Sequence, residues 1–414
     1  MRARIQTLDI IRGVAVMGIL ALNIYAFAGP GGMYFNPTAY GGDTGLDWLT
    51  WAFNFVFMES KFRSLFSIMF GASTLLVIER ATAKNNSPAL RHYARMFWLL
   101  AFGLLHFWFI WWGDILALYA LIGLLVFFFR NRSVKWLRNW AIIFLTIGFL
   151  FAASQNFVFS MAGNPDLPEE QRAEMMKAVE QNEGYFGGQT EASREKIQEH
   201  LQMFRGPYGP IMEQRFVDWR FKPFQNAIFL GPETLGLFLI GMALFKSGFL
   251  TGEWRRERYR KWAITCFAIA IPANLGLLWY QVASGYSTQA VFNATIVLSA
   301  PFDILMAIGW AALITMLVMH ALETPFSQRL AATGRMAFTN YLMTSVVMTT
   351  IFYGYGLGLY GEFGRAALYL FVFGMWALML LWSKPWLDRF HYGPLEWIWR
   401  SLSRFSPQPM VKKD

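Results

Sequence analysis

Inside the apolar stretches of this chain stand a few polar side chains, and their types limit the chemistry available to it. In LLAFGLLHFWFIWWGDILALYAL, Asp114 follows His106 by eight positions. A hairpin closing near Trp112-Gly113 brings that carboxylate to the imidazole and orients it as a general base, as other His–carboxylate pairs do. The competing reading is a histidine that only packs and hydrogen-bonds. Ionisable groups at membrane depth cost roughly 3 kcal/mol on insertion scales, so each is a functional candidate by default. Asp9 and Arg12 lie three apart at the start of the first apolar run, share a helix face and can neutralise each other; alternatively, Arg12 faces an anionic ligand. Asn23, three turns deeper on nearly the same side, can bond another helix or a substrate. Lys61 and Arg63 follow Glu59 in ESKFRSLFSIMFGAS. They mark an interface or bind a substrate carboxylate or a developing oxyanion. Pro301-Phe302-Asp303 and Gly231-Pro232-Glu233 each set an acid beside a proline, where an interrupted helix often lines a cavity.

Other chemistries lack their residues. The Gly-rich YGYGLGLYGEFG at 353–364 has neither the Lys-Ser/Thr ending nor the preceding strand of a phosphate loop. A single Cys266 gives no disulfide framework and no cysteine-based metal site, and no metal is expected.

The elements that must position these side chains follow from composition. Of 414 residues, 56% are hydrophobic, 18% aromatic and only 15% charged. Ordinary globular domains are about one quarter charged, so this chain has too little polar surface to cover itself, and lipid must do so. The net charge of +10 does not point to nucleic acid, because most basic residues fall in short segments between apolar runs. Ten runs approach the roughly 20 residues that a helix needs to cross a bilayer: 10–28, 62–79, 95–113, 114–129, 139–157, 226–245, 261–282, 292–320, 336–354 and 365–383. Residues 47–58 are too short and read as an interfacial or re-entrant piece.

With the N-terminus inside, alternation gathers Arg2, Arg4, Arg80, Lys84, Arg91, Arg95, Arg130, Arg335, Arg400 and Lys413 on one side, whereas 29–46 has no Lys or Arg. The positive-inside rule is satisfied with both termini cytoplasmic. A cleaved signal peptide, suggested by Arg2, Arg4 and Ala26-Phe27-Ala28, would break this parity, so the first helix is read as retained. The expected fold is therefore an all-α integral membrane protein, a bundle of about ten transmembrane helices. An N-terminal transmembrane half (1–157) and a C-terminal one (224–383) flank an extracytoplasmic lid loop (158–223). That loop should form two amphipathic helices starting near Asp166 and Ser193. The cytoplasmic tail (384–414), rich in Trp and basic residues, reads as interfacial.

The strings LDIIRGVAVMGILALN, KFRSLFSIMFGAS and RHYARMFWLLAFGLLHFWFIWWGDILALYAL resemble the bacterial YeiB-like family of integral membrane proteins. In the C-terminal half, GPETLGLFLIGMALFKSGFL, GRMAFTNYLMTSVVMTTIFYGYGLGLYG and FHYGPLEWIWR agree. More remotely, the opening motif is similar to that of the transmembrane acyltransferase superfamily, which includes the acyltransferase-three proteins and heparan-α-glucosaminide N-acetyltransferase. Acyltransferase-three proteins place a His eleven residues after the motif Arg, where this chain has Asn23. The heparan enzyme has Asn there and takes its His from the next outer segment, but residues 29–60 here contain none.

The superfamily resemblance implies transfer of an acyl group from cytoplasmic acyl-CoA to an acceptor hydroxyl or amine on the outer side. Arg12, Arg91 and Arg95 would then attract the CoA phosphates, since guanidinium groups bind phosphate bidentately. His106, oriented by Asp114, would take the acceptor's proton, and Asn23, Lys61, Arg63, Glu233 and Asp303 would contact substrate. The acceptor would be a small molecule, a glycan or a lipid; membrane lipids and a second copy of the chain complete the expected partners. The rival reading is a proton-coupled transporter or a lipid or solute carrier, with Asp9, Glu233, Asp303 and His106 relaying protons or binding solute. A non-catalytic scaffold would need none of these buried charges.

Overall fold

Each apolar run becomes helix because a backbone without water must satisfy its own hydrogen bonds. In the computed structural model, which describes residues 6–83, 85–162 and 166–412, every named element is helical. Arg2, Arg4, Lys84 and Lys413 lie outside the described residues. The first part comprises α1 (Gln6–Ala28), α2 (Gly32–Phe35), α3 (Gly45–Phe57), α4 (Lys61–Thr82), α5 (Pro88–Phe109), α6 (Leu116–Val126) and α7 (Val134–Ala162). The middle segment holds α8 (Glu169–Phe186), α9 (Glu191–Arg205), α10 (Tyr208–Phe216) and α11 (Lys222–Phe229). The remainder comprises α12 (Gly231–Lys246), α13 (Arg256–Ala283), α14 (Thr288–Phe292), a π-helical stretch (Asn293–Leu298) and α15 (Ala300–Val318). It ends with α16 (Pro325–Arg335), α17 (Ala337–Phe352), α18 (Arg365–Arg389) and α19 (Pro394–Arg404).

All ten runs contain helix, but the count of ten spans does not carry over by length. Among the described residues, six stretches are long and apolar enough to cross a membrane: Gln6–Ala28, Gly45–Thr82, Val134–Phe159, Arg256–Ala283, Ala300–Val318 and Arg365–Arg389. The pair α11 and α12, bent by 63°, makes a seventh if taken as one span. Helix α6 shows why the count falls. The turn after α5 consumes the start of the 114–129 run, leaving 11 α-helical residues, about 17 Å against a hydrocarbon core of about 30 Å. Residues 47–58 fall in α3 and its C-cap, and the left-handed Ser60 (φ 57°) separates α3 from α4 within one apolar stretch of 38 residues. Large apolar side chains are exposed on α7 (Ile147, Leu150, Phe157), α13 (Ile264, Trp279) and α18 (Leu370, Phe373, Leu381). That belt is the surface lipid covers, so the chain is an all-α multi-pass membrane protein.

Helix α1 is the central post, packed against α4, α16, α17 and α18. It meets α16 backbone to backbone. A Cβ on Gly334 would stand 1.8 Å from the Asp9 carbonyl oxygen, and one on Gly13 would stand 2.3 Å from that of Leu330. Small residues at such crossings let helices approach in lipid, and this one fixes the height of Asp9 and Arg12. Gly103 does the same between α5 and α6, where a Cβ would lie 2.3 Å from the Ala117 nitrogen.

The middle segment packs over the end of the bundle reached by the C-terminus of α1. Among the described residues of 158–223 it contains three helices of its own, α8, α9 and α10, rather than two, and α11 begins at its end. Thr190, not Ser193, caps α9, its side chain accepting from the Ser193 N–H, and Pro168 stands at the cap position of α8. Asn36 Nδ2 donates to the Phe186 carbonyl at 2.8 Å, Arg205 Nε to that of Tyr360 at 2.7 Å, and the Tyr208 hydroxyl to that of Phe109 at 2.6 Å. His200 Nδ1 accepts the Gly31 N–H at 3.2 Å, and burial lowers its pKa from 6.5 to about 4. At the opposite end, the tail departs from a purely interfacial reading. Residues 384–389 finish α18, and α19 docks on α5 and α17.

Candidate functional site

At the α19 end a cavity of ≈ 240 Å³ opens between α1, α4, α5, α16, α17 and α19. Its lining includes five arginines, Arg12, Arg80, Arg95, Arg335 and Arg400, against two acids, Asp9 and Glu396. Phe66, Met69, Phe70, Leu99, Leu116, Tyr119 and Tyr341 supply apolar and aromatic wall. Arg12 Nη1 pairs with Asp9 Oδ1 at 3.1 Å and Nη2 donates to Ser73 Oγ at 2.6 Å. That holds one guanidinium edge in place. The Arg95 guanidinium lies 4.1 Å from the centre of the Trp399 ring, and the Trp399 indole donates to the Arg95 carbonyl at 2.9 Å. Glu396 is occupied elsewhere. It accepts the Phe338 and Thr339 backbone N–H groups at 2.8 and 3.0 Å, capping α17 from another helix, and burial raises its pKa. The net effect is an electropositive chamber with an apolar interior.

The chamber's wall includes Tyr341, whose ring lies 5.4 Å from the His106 ring. His106 is 1% exposed, and its Nδ1 lies 2.7 Å from Asp114 Oδ2. Asp114 Oδ1 also accepts the Ala117 N–H at 2.8 Å, so the start of α6 fixes the carboxylate while the turn after α5 brings it to the ring. With Nδ1–H donating to Asp114, the lone pair of a neutral imidazole sits on Nε2. That nitrogen is buried and has no hydrogen-bond partner among the described residues. The expected hairpin and pair are both present. His106 itself does not line the chamber; its ring packs on Tyr341, which does. Tyr341 also lines a small pocket of ≈ 10 Å³ with Asn23, Val16, Phe27, Thr344 and Ser345. Arg12 and Asn23 thus reach two spaces that share Tyr341.

The remaining expected site residues go elsewhere. Arg91 is not part of the chamber lining; its Nη1 lies 3.5 Å from the Ser403 carbonyl. Lys61 Nζ pairs with Asp303 Oδ1 at 2.7 Å and donates to the Phe55 carbonyl at 2.6 Å. Arg63 Nη2 meets Glu233 Oε1 at 2.8 Å. None of these four lines the chamber; they pair with one another. The two proline-flanked acids do sit at backbone interruptions. Glu233 follows the 63° bend and Asp303 follows the π-helical stretch. Sequence reasoning missed Arg80, Arg335 and Arg400 as a group, along with Tyr341 and Trp399. The arginines read only as inside charges, and the one signal was that GRMAFTNYL and the tail motif belonged to the same resemblance. Among the described residues, no group of three or more His, Cys, Asp or Glu side chains could hold a metal.

Lipid-facing helices around a cationic chamber and a buried His–carboxylate pair define a multi-pass membrane protein with an internal polar site. By sequence, the chain belongs to the YeiB-like family. It is 32% identical to the uncharacterized protein YeiB of Escherichia coli (strain K12), over 98% of both chains. It is 31% identical to the uncharacterized protein YxaH of Bacillus subtilis (strain 168), over 99% of this chain and 96% of that one. Residues 244–406 match the family described as protein of unknown function DUF418. No solved structure matches.

Proposed function

We propose that the protein is a transmembrane acyltransferase that takes an acyl group from cytoplasmic acyl-CoA and passes it to a hydroxyl or amine on the outer side. The supporting observation is the alignment of an arginine-lined apolar chamber with a buried His–Asp pair through the shared residue Tyr341. At ≈ 240 Å³ the chamber is smaller than the roughly 300–1,000 Å³ typical of ligand pockets. It suits a slender acyl–pantetheine arm, with the nucleotide phosphates resting on Arg12, Arg95, Arg335 and Arg400 at the mouth. The acceptor enters from the lid side. As its oxygen or nitrogen attacks the thioester carbonyl, His106 Nε2 takes its proton; the C–S bond breaks, and the departing thiolate takes a proton from the imidazolium. Asp114 holds the ring and offsets its charge.

In this reading the protein lies in a bacterial inner membrane with both termini cytoplasmic. That placement is supported by the N-terminal end of α1 and the α19 tail sharing the arginine-rich end of the bundle. The acceptor is a small molecule, glycan or lipid. A second reading, a proton-coupled carrier, draws on the backbone breaks beside Glu233 and Asp303. Equilibrium binding of labelled acetyl-CoA to the purified protein separates the two. Saturable binding displaced by CoA supports the transferase, whereas no binding together with pH-dependent solute uptake in vesicles supports the carrier.

A further inference from the structure

Beneath the lid, Arg215 on α10 carries a charge that its surroundings leave unanswered. The residue is 1% exposed, and the acceptor set against its guanidinium is the neutral Tyr353 hydroxyl; no carboxylate or backbone carbonyl among the described residues accepts from Nε or either Nη. A guanidinium holds five N–H donors and a permanent charge, and burying one against a single neutral hydroxyl is strongly unfavourable. The titratable groups acting on it are tyrosines, Tyr353, Tyr355 and Tyr208, and burial lowers its pKa. Arg365 shows how this protein satisfies a structural arginine. It is equally buried, and its Nη atoms donate to the backbone carbonyls of Met33, Asn36, Pro37 and Gly42.

Arg215 is one of several unmatched polar groups in this region. Trp111 Nε1 and His106 Nε2 are also buried without partners among the described residues. Tyr353 acts electrostatically on Arg215, and Trp111 packs edge-on to His106 at 6.3 Å between ring centres. Phe216, the residue after Arg215, stacks on Trp108 and meets Phe109 edge-on, which ties α10 to the end of α5 that carries His106. Guanidinium, phenol and indole groups therefore supply donors on the lid side of His106, and among the described residues no anion answers the guanidinium. Donors of this kind match an oxyanion.

We propose that Arg215, with Tyr353 and Trp111, binds an oxyanionic group, a phosphate or a carboxylate, on the molecule that reaches His106 from the lid side. The inference rests on the acyl-transfer reading only in taking that molecule to be the acyl acceptor. Because the guanidinium is enclosed, α10 must lift to admit it, breaking the Tyr208–Phe109 hydrogen bond.

The test uses the full-length protein in phospholipid-free dodecyl maltoside micelles. Thermal unfolding is followed with inorganic phosphate, sodium acetate or added phosphatidylglycerol, each against chloride at equal ionic strength. At least one oxyanion should raise Tm beyond chloride, as ligand linkage requires. Stabilisation by phosphatidylglycerol alone assigns the site to a lipid headgroup, and stabilisation by phosphate or acetate assigns it to a soluble acceptor. Arg215→Met should weaken the effect roughly ten- to a hundredfold in apparent affinity, while Arg215→Lys keeps part of it. With no anion added, Arg215→Met should raise Tm, because an uncompensated buried charge is gone; a purely structural arginine would give a fall. No stabilisation beyond chloride, equal stabilisation of wild type and Arg215→Met, or a lower anion-free Tm in that variant would each overturn the proposal. Acetyl-CoA binding on the same samples reports separately on the acyl-transfer reading.

Discussion

Two groups of charges lie within the helical bundle, and they differ in what surrounds them. Around Lys61 the positions are filled: Asp303 at 2.7 Å, the Phe55 carbonyl at 2.6 Å and Asn274 Oδ1 at 3.3 Å. Ser299 Oγ donates to Asp303 Oδ2 at 2.9 Å. Arg63 and Glu233 form a second pair beside them. Around Arg12 and Arg95 positive charge is in excess instead: five arginines and two acids line an apolar chamber, and the nearby His106 keeps a bare Nε2. Membrane depth alone therefore does not mark a site. The buried Lys61–Asp303 pair joins α4 to α15, and the half-buried Arg63–Glu233 pair joins α4 to α12. A cavity whose lining carries a net excess of one sign is shaped for a ligand of opposite charge.

The largest effect should come from the open region. His106→Gln removes a base while keeping a hydrogen-bonding amide, so turnover should fall about 10²- to 10⁴-fold with acetyl-CoA affinity nearly unchanged. Asp114→Asn should lose less, through misorientation of the ring. Measured turnover close to wild type would remove the distinction between the two regions. In the closed region the effect should appear in stability. Lys61→Met alone leaves Asp303 buried and unpaired, which should cost about 3–5 kcal/mol in denaturant unfolding, whereas Lys61→Met with Asp303→Leu should recover most of it. A double variant as unstable as the single one would show that the pair does more than join helices.

The lid supplies a pH test. His200 has its folded pKa lowered from 6.5 to about 4, so its contribution to docking is complete above pH 6.5. It is lost as pH falls toward 4, up to about 3 kcal/mol. Limited proteolysis of residues 158–223 should accelerate over that window, and His200→Gln should flatten the response. The smallest effect concerns the α1–α16 crossing. Gly334→Ala forces a methyl against the Asp9 carbonyl, which should cost about 1–3 kcal/mol and weaken acetyl-CoA binding by displacing Arg12.

Legibility in the sequence followed distance along the chain. His106–Asp114 and Asp9–Arg12 were readable because each pair falls within one hairpin or one helix turn, where spacing fixes geometry. Lys61–Asp303 and Arg63–Glu233 were not, because partners in separate helices leave no periodic trace. Individually these four looked like substrate contacts. Arg80, Arg335 and Arg400 were seen only as orientation charges, since their convergence depends on α16 and α19 folding back onto α1 and α5. The helical class followed from composition, but hydropathy measures apolar runs, not helices. The turn at 110–115 therefore cost α6 the length expected of a span.

Most direct is the binding isotherm of labelled acetyl-CoA, measured in the purified protein for wild type, Arg12→Gln, Arg95→Gln, Arg335→Gln and the Lys61→Met/Asp303→Leu double variant. Saturable binding should weaken roughly tenfold for each chamber arginine, and it should be unchanged in the double variant. No saturable binding, or equal losses in both regions, would contradict the assignment of the arginine chamber to acyl-CoA.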